Sequence, residues 1–220
     1  LDGGAMFGNA PKALWQRWIA ADVQNRIVLG CRALLVRVAG RNILVETGIG
    51  AFFDPAMKER YGVEESGHAL LDRLAELGLS DADIDVVLLT HLHFDHAGGL
   101  LAPWSEGQAP RLLFPKARFI TGLRQWQRAK TPHARDRASY LPELLDLLEA
   151  SGRLELLADG ASSATPGPDW RFHGSAGHTP GKLPPEVDRT AGPRVFAGDL
   201  TQGAPWVHLP TTKDHQRLPP

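Results

Sequence analysis

The sequence VVLLTHLHFDHAGG, residues 86–99, carries the most informative chemistry of the chain. Its first part belongs to a run of aliphatic and β-branched residues, 85–90, that is too short for a globular helix and predicts a buried strand. Three histidines and one aspartate follow within six residues, so they lie where the strand ends and the chain turns. Neutral imidazoles and carboxylates are the ligands that divalent transition metals take. The pattern therefore indicates a metal site at a strand end.

The spacing inside this cluster favours two neighbouring ions. His91 and His93 are two residues apart, so at the frayed end of a strand their side chains can point the same way. Asp95 and His96 follow in the predicted loop and can face a second ion beside the first. The glycine pair at 98–99 lets the backbone fold tightly over the site.

The composition is that of an ordinary protein with one hydrophobic core. The chain has 220 residues, of which 43% are hydrophobic and 22% are charged, which predicts a single domain over residues 1–220. A net charge of −1 argues against binding nucleic acid or a membrane surface through bulk electrostatics, so neither is expected as a partner. A small-molecule substrate and a homo-oligomer remain compatible with this charge. The sequence contains no apolar run of membrane-spanning length and no signal-peptide pattern, so a cytoplasmic location is expected.

Two further features bear on the surroundings of a site. Segment 116–137 holds seven lysines and arginines against the single acid Asp136. This segment is either a solvated helix face and loop or a basic lid that attracts an anionic substrate. The single cysteine, Cys31, excludes an intrachain disulfide, and its apolar surroundings predict a small buried side chain on a strand.

Hydrophobic periodicity predicts strands and helices in loose alternation. The predicted segments are a β-hairpin with arms at 27–38 and 43–46, helices at 67–79 and 140–150, and strands at 117–121, 153–157, 170–174 and 194–197. This order indicates an α/β or α+β layered protein. No G-x-G-x-x-G follows the early strands, which excludes a Rossmann fold.

Two later segments each place one metal-binding side chain in a glycine-flanked turn. His178 lies in GHTPG, and Asp199 ends AGD after an apolar run. Taken alone, either could be an ordinary turn residue. Following HLHFDH in this order, however, they resemble the metallo-β-lactamase superfamily, whose signature is H-x-H-x-D-H. The resemblance covers about residues 30–210 and includes LVETG at 44–48, where Glu46 stands in place of the aspartate of that family.

The resemblance implies a fold and a set of metal ligands. The fold is an αβ/βα sandwich in which two mixed β-sheets are flanked by helices. One ion is held by His91, His93 and His178, the second by Asp95 and His96, and Asp199 bridges both. The two divalent ions are expected to be zinc, with manganese or iron as alternatives. Members of the family usually have one more histidine on the second ion. Either that histidine follows Pro220, and the C-terminal part of the domain is incomplete in this sequence, or the second ion is weakly held.

The same resemblance implies a reaction. Two divalent ions about 3.5–4 Å apart can share one water, lower its pKa and supply a hydroxide that attacks a carbonyl carbon or a phosphorus. Asp95 then carries the proton to the leaving group, and Asp199 holds both ions. We therefore expect a dinuclear metal-dependent hydrolase of an ester-like bond, with a lactone or carboxylic ester as the first substrate class. Three alternatives stay open: a phosphodiester or organophosphate hydrolase, a mononuclear iron dioxygenase of the same fold, and a non-catalytic binding protein with an impaired metal site.

Two residues near the end of the sequence are candidates for the substrate pocket. Trp206 and His208 follow Asp199 within ten residues, and Gly203 and Pro205 bend the chain between. An aromatic wall with one directed hydrogen bond is typical of a small-molecule site. The sequence therefore predicts that Trp206 and His208 line the pocket.

Overall fold

The computed structural model describes residues 2–8 and 10–201, which contain eight strands and seven α-helices. The strands are β1 (Leu34–Val38), β2 (Arg41–Val45), β3 (Val86–Leu88), β4 (Arg118–Gly122), β5 (Leu154–Leu157), β6 (Trp170–Phe172), β7 (Pro185–Val187) and β8 (Arg194–Val195). The helices are α1 (Gly3–Phe7), α2 (Lys12–Trp15), α3 (Pro55–Tyr61), α4 (Ala69–Glu76), α5 (Phe94–Ala97), α6 (Leu123–Lys130) and α7 (Pro142–Ala150). None of these helices is both long and apolar enough to cross a membrane.

The larger sheet joins one hairpin to a parallel ladder. Its strand order is β1-β2-β3-β4-β5, with β1 antiparallel to β2 and all later neighbours parallel. The hairpin turn is tight because Ala39 and Gly40 both adopt a positive φ, 49° and 74°. Parallel strands end at the same edge of a sheet, so the residues that follow β2, β3 and β4 meet there. This register determines where a site can form.

The alternation of side chains along β3 shows how the larger sheet is covered. Val86 and Leu88 face the smaller sheet, β6-β7-β8, and pack there with Trp170. Val87 and the following Leu89 face the other way, into a core shared with the buried side chains of α4, α6 and α7. The described residues therefore stack a helix layer, the five-stranded sheet and the three-stranded sheet. This is the layered α/β architecture expected from the sequence.

The smaller sheet differs in detail from that expectation. It is antiparallel throughout the described residues, whereas two mixed sheets were expected. Its central strand, β7, was not predicted at all, because the prolines of LPPEV normally argue against a strand. Pro185 is tolerated because it is the first residue of β7.

Several predicted segments are shorter in the structure. The strand predicted over 85–90 is assigned as a strand only over β3, and the chain beyond it turns toward the sheet edge. The run 27–38 forms a strand only from Leu34 onward. Its first residue, Ile27, packs instead with Trp15 in a separate N-terminal cluster. Contacts with the N-terminal helices therefore override the local β-propensity of this run.

The basic segment 116–137 is an ion-paired surface. It contains α6, which periodicity did not predict because polar and basic residues dominate its sequence. Most of the acidic partners come from distant parts of the sequence. The pairs are Lys116–Asp85, Arg118–Glu155, Arg124–Asp159, Arg128–Asp136 and Lys130–Glu149. The structure therefore favours a solvated, paired surface over a basic lid.

His68 ties α4 to the turn that follows α5. Its imidazole is buried, and Nδ1 accepts a hydrogen bond from the backbone N–H of Leu71 at 3.4 Å. Nε2 therefore carries the proton and lies 3.1 Å from the carbonyl oxygen of Gly99. Burial lowers the pKa of His68, so the fold holds this side chain neutral.

We expect His68→Asn to flatten the pH dependence of stability below neutrality. The folded state lowers the pKa of His68, so the unfolded chain takes up the proton first as the pH falls through 6.5, and the free energy of unfolding falls with it. Asparagine can accept the Leu71 hydrogen bond as an N-cap but does not titrate. The variant should be less stable near neutral pH by roughly 1–3 kcal/mol, because the Gly99 carbonyl loses its donor.

Urea denaturation of the metal-free protein at pH 7.5 and 5.5 measures this slope. His133→Asn, at an exposed histidine, is the matched control and should keep the wild-type slope. An unchanged slope in His68→Asn would show that another group titrates.

Candidate metal centre

The six side chains predicted as metal ligands converge at the edge where β2, β3 and β4 end. Their nitrogen and oxygen atoms, with those of Glu46, fall into three overlapping groups whose members lie within 4.8 Å of one another. The groups are His91–His93–His178, Glu46–His91–His96 and Asp95–His96–Asp199. The fold thus brings together four separate segments of the sequence. The role of these residues as ligands stays a prediction, and the geometry of each group tests whether it fits a cation.

His91, His93 and His178 direct three nitrogens toward one position, here called the first group. Nε2 of His178 lies 3.2 Å from Nε2 of His91 and 3.0 Å from Nδ1 of His93. Nitrogens bound to one tetrahedral ion at about 2.0–2.1 Å lie about 3.3 Å apart, so this spacing fits a shared cation. Nδ1 of His91 lies 3.0 Å from the Thr90 hydroxyl, which orients the ring. Burial, followed by the charge of the neighbouring histidines, lowers the pKa of His91 well below its usual range, so this imidazole stays neutral and can bind a metal.

A strand end and a short helix place four of these side chains. His91 and His93 follow β3, and His93 is also the N-cap residue of α5. Asp95 and His96 therefore lie on the first turn of a helix, not in the loop that the sequence predicted. Phe94 anchors this short helix in a cluster of aromatic rings.

The glycine pair after α5 is required by close packing. A Cβ atom on Gly99 would lie 2.2 Å from the carbonyl oxygen of Thr47, and one on Gly98 would lie 2.5 Å from that of Ile49. No side chain fits at either position without moving the backbone. The tight fold over the site predicted from the two glycines is therefore present.

His178 sits at the centre of a strained turn. Its φ is 66°, and the N–H of Thr179 donates to the carbonyl oxygen of Gly177 at 2.8 Å, closing a three-residue turn. A non-glycine residue in this region costs of order 1–3 kcal/mol and persists only where its surroundings hold it.

Asp199 faces both ends of the site, and with Asp95 and His96 it forms the second group. Its Oδ1 lies 3.2 Å from Nε2 of His96, and its Oδ2 lies 3.3 Å from Nε2 of His178. Asp95 adds a carboxylate oxygen 3.6 Å from the same nitrogen of His96. Burial alone would lower the pKa of His96, but the carboxylates of Asp95 and Glu46 and the hydrogen bond with Asp199 hold it well above its usual value. The second group therefore attracts positive charge, which a divalent cation supplies as well as a proton does.

Glu46 connects the strand ends beneath the site. It is fully buried and has a positive φ of 64°. One carboxylate oxygen accepts the N–H of Thr90 at 2.7 Å, and the other lies 2.9 Å from Nδ1 of His96. This contact turns Nε2 of His96 toward Asp95 and Asp199. Glutamate in place of the aspartate of the family therefore still supports the site through His96.

A cavity of about 310 Å³ opens beside the second group and is lined in part by Asp95, His96 and Asp199. Its other walls include the apolar Leu29, Val195 and Phe196 and the polar Cys31 and Arg32. Trp206 and His208, which the sequence predicts in the pocket, lie outside the described residues, so their role stays a prediction.

The prediction for Cys31 is wrong. Cys31 is exposed, precedes β1 and lines the cavity, because the chain ahead of β1 packs on the N-terminal cluster and does not continue the strand. Packing of protein atoms on its other sides, and the nearby charge of Asp95, raise the pKa of its thiol to about 11. The thiol is therefore protonated at neutral pH and is a weak nucleophile.

Three further buried polar side chains lie near the site: Lys182, Gln125 and Tyr140. The sequence predicts no role there for Gln125 or Tyr140. Lys182 is fully buried, and its Nζ would lie 3.3 Å from a Cβ atom on Gly198, beside the turn that carries Asp199. Gln125 and Tyr140 reach the turn after His178, although nothing near either residue in the sequence marks this contact. Burial, ahead of an opposing hydrogen bond, raises the pKa of Tyr140 to about 12.

The whole arrangement can be compared with known families. A family model described as the metallo-beta-lactamase superfamily matches residues 26–219. The chain belongs to this superfamily. That membership confirms the resemblance drawn from HLHFDH, GHTPG and AGD and the sandwich fold inferred from it. At the level of the family, it also confirms the expected metal-dependent hydrolase.

Solved structures of this superfamily share the fold. A probable metal-dependent hydrolase from Staphylococcus aureus is 31% identical, with a TM-score of 0.79, and the match covers 91% of this chain and 69% of that one. The hydrolase AbOPH is 22% identical, with a TM-score of 0.62 and coverages of 89% and 66%. AidC, a dizinc quorum-quenching lactonase, is 23% identical, with a TM-score of 0.57 and coverages of 77% and 56%. The chain thus spans between 56% and 69% of the length of these proteins.

We expect His93→Ala to lose the tightest-bound metal ion. Without His93, only the nitrogens of His91 and His178 remain in the first group, and two ligands are too few to hold a metal ion tightly. Metal content after dialysis, measured by elemental analysis, tests this. His173→Ala removes an exposed histidine outside the three groups and should keep the wild-type content. Wild-type metal content in His93→Ala would contradict the assignment of the first group.

We expect Asp199→Asn to shift the metal content from two ions per chain toward one. The amide lacks the charge that lets a carboxylate hold two cations with its two oxygens. Titration with zinc followed by elemental analysis gives the stoichiometry. A wild-type protein that holds only one ion at saturating zinc would rule out the bridge.

Proposed function

We propose that the chain is a dinuclear metal-dependent hydrolase that cleaves an ester-like bond, with lactones and carboxylic esters as the first substrate class. The observation that carries this proposal is the two-sided placement of Asp199, one oxygen toward His96 and the other toward His178. Zinc is the first choice of metal, because histidine and carboxylate donors at tetrahedral spacing suit it. When bound, two such ions would supply a nucleophile from water near neutral pH and would stabilise negative charge on the substrate oxygen.

The residues around the ions have separate tasks in this proposal. His91, His93 and His178 hold the first ion, and Asp95 and His96 hold the second. Glu46 keeps Nε2 of His96 facing the metal side by binding its Nδ1. Asp95 is a half-buried carboxylate that also lines the cavity, so it can take a proton from the nucleophile and return it to the leaving group.

The cavity supports a small-molecule substrate. Its volume of about 310 Å³ lies at the lower end of the range for ligand pockets, about 300–1,000 Å³. Leu29, Val195 and Phe196 offer apolar contact for an acyl or alkyl part. AidC, a lactonase of this fold, is described with a dizinc site and a bound product, which makes lactones the natural first test.

One observation favours a second candidate. Arg32 is exposed at the cavity, and a guanidinium pairs well with a phosphate or carboxylate oxygen. The phosphate of a phosphodiester or organophosphate could pair with Arg32 while it lies beside Asp95, His96 and Asp199. A phosphodiester hydrolase is therefore the alternative that the cavity itself supports.

We expect zinc-loaded protein to hydrolyse lactones and carboxylic esters in preference to phosphodiesters. The matched comparison is between a carboxylic ester and a phosphodiester that share one leaving group. Initial rates with matched p-nitrophenyl esters and phosphodiesters, together with a lactone panel, measure this preference. In Asp95→Asn protein that still holds two zinc ions by elemental analysis, kcat should fall by roughly 10²–10⁴-fold through loss of the proton carrier. A higher rate with the phosphodiester would replace the first substrate class with the second.

Metal analysis and activity assays on the purified protein distinguish the remaining two alternatives, a mononuclear iron dioxygenase and a non-catalytic binding protein. One iron per chain and oxygen consumption with a persulfide would establish the mononuclear dioxygenase instead. Full metal loading with no turnover of any substrate in the panel would favour a binding protein.

A further inference from the structure

A closed set of hydrogen bonds lies behind the first group. Gln125 on α6, Tyr140 just before α7 and Thr179 beside His178 are all buried, with 0%, 5% and 1% of their surfaces exposed. Nε2 of Gln125 donates to the Thr179 hydroxyl at 3.0 Å, and the Tyr140 hydroxyl donates to Oε1 of Gln125 at 3.3 Å. The hydroxyls of Thr179 and Tyr140 lie 2.9 Å apart, so Thr179 can donate to Tyr140 and close the ring. These three residues are here called the polar ring.

The polar ring is hydrogen-bonded to the turn on the C-terminal side of His178. Besides the Thr179 hydroxyl, Gln125 also donates to the carbonyl oxygen of Pro180 at 2.9 Å. The backbones are in direct contact as well, because a Cβ atom on Gly122 would lie 2.5 Å from the carbonyl oxygen of Gly181. The two residues after His178 are therefore fixed to the start of α6.

The polar ring also reaches the second histidine of the first group. The ring of Tyr140 packs edge to face on the ring of His93, with centroids 4.9 Å apart. His93 and His178 are the pair whose nitrogens lie 3.0 Å apart. Tyr140 thus touches one member of this pair directly and the turn of the other through Thr179.

This placement meets a physical need of the site. His178 has a φ of 66°, a strained conformation that its surroundings must stabilise. Its Nε2 must also keep a fixed position relative to His91 and His93, which follow β3. A fully satisfied buried ring of hydrogen bonds is rigid, because breaking any one of them leaves polar groups without partners. The helix layer can therefore set the position of a ligand that no strand of the larger sheet carries.

We propose that the members of the polar ring, Gln125, Tyr140 and Thr179, are positioning residues that hold His178 and His93 at the spacing that the first metal ion requires. This inference rests on the metal site of the proposed function but not on the choice of substrate. The proposal gives α6 and the residue just before α7 a role in metal affinity. The sequence does not show this role, because both lie far along the chain from the ligands.

The test uses variants that keep the shape of the side chain and remove one hydroxyl of the polar ring each. Tyr140→Phe keeps the ring against His93, and Thr179→Val keeps the β-branched shape. Thr121→Val is the matched control, since Thr121 is equally buried on β4 but lies outside the polar ring. Affinity for the tightest zinc ion is measured by chelator competition, the ligand field by the absorption of the cobalt-loaded protein, and stability by urea denaturation of the metal-free protein.

We expect Tyr140→Phe and Thr179→Val to weaken zinc affinity by about 10–100-fold and to change the cobalt spectrum, as loss of a contact that orients a ligand does. Thr121→Val should change neither. Loss of stability with unchanged zinc affinity and cobalt spectrum would overturn the proposal, since the polar ring would then serve folding alone.

The outcomes also separate this inference from the proposed function. Wild-type protein that binds zinc but hydrolyses nothing would remove the proposed reaction and leave the positioning role standing. Wild-type protein that binds no metal at the three histidines would remove both. A normal site in the variants of an active enzyme would remove the positioning role alone.

Discussion

The packing of four imidazoles and three carboxylates at one sheet edge is the constraint on which the rest of the site depends. Glu46 and His91 are fully buried, and the remaining groups are at most partly exposed, so water cannot solvate all of their charge. Buried charges must be paired or bound to a cation. The carboxylates of Asp95 and Glu46 raise the pKa of His96, whereas burial lowers that of His91, so the first imidazole favours a positive charge and the second stays neutral. A cation beside the carboxylates offsets their charge, and a neutral imidazole nitrogen can bind it.

The parallel register makes this concentration of polar groups possible. β2, β3 and β4 end at one edge, and the two faces behind that edge are filled by apolar side chains of the helix layer and of the smaller sheet. Strain collects at the same edge, because Glu46 and His178 both have a positive φ. Strain of this kind persists only where hydrogen bonds hold it. Glu46 is held through Thr90 and His96, and the turn of His178 is held by Gln125.

The close grouping of the side chains of HLHFDH could be predicted from the sequence because its information is local. HLHFDH places four side chains within six residues after an apolar run, and the glycine pair that follows lets the backbone fold tightly over them. The layered fold followed for the same reason, from periodicity in single segments. The cavity could not be predicted from periodicity. Cys31 lines it because the chain before β1 does not form the expected strand, and Ile27 packs instead with the N-terminal helices. β7 was hidden by its prolines, and the partners of Gln125 and Tyr140 at Thr179 lie too far along the chain for any local pattern to show them.

The two groups of ligands are built in different ways, and this difference follows from where each ligand comes from. The first group takes two histidines from the end of a strand inside the core and a third from a turn fixed to α6, so its geometry is set by the packed layers. The second group takes Asp95 and His96 from a four-residue helix and Asp199 from a three-residue helical turn. Short helical turns carry few backbone hydrogen bonds of their own, so their ligands depend on contacts made across the site. The contact of Glu46 with His96 and that of Asp199 with His178 are such contacts. The geometry of the second group therefore depends on its surroundings, because His178 contacts one oxygen of Asp199, and Glu46, placed by the end of β2, contacts His96.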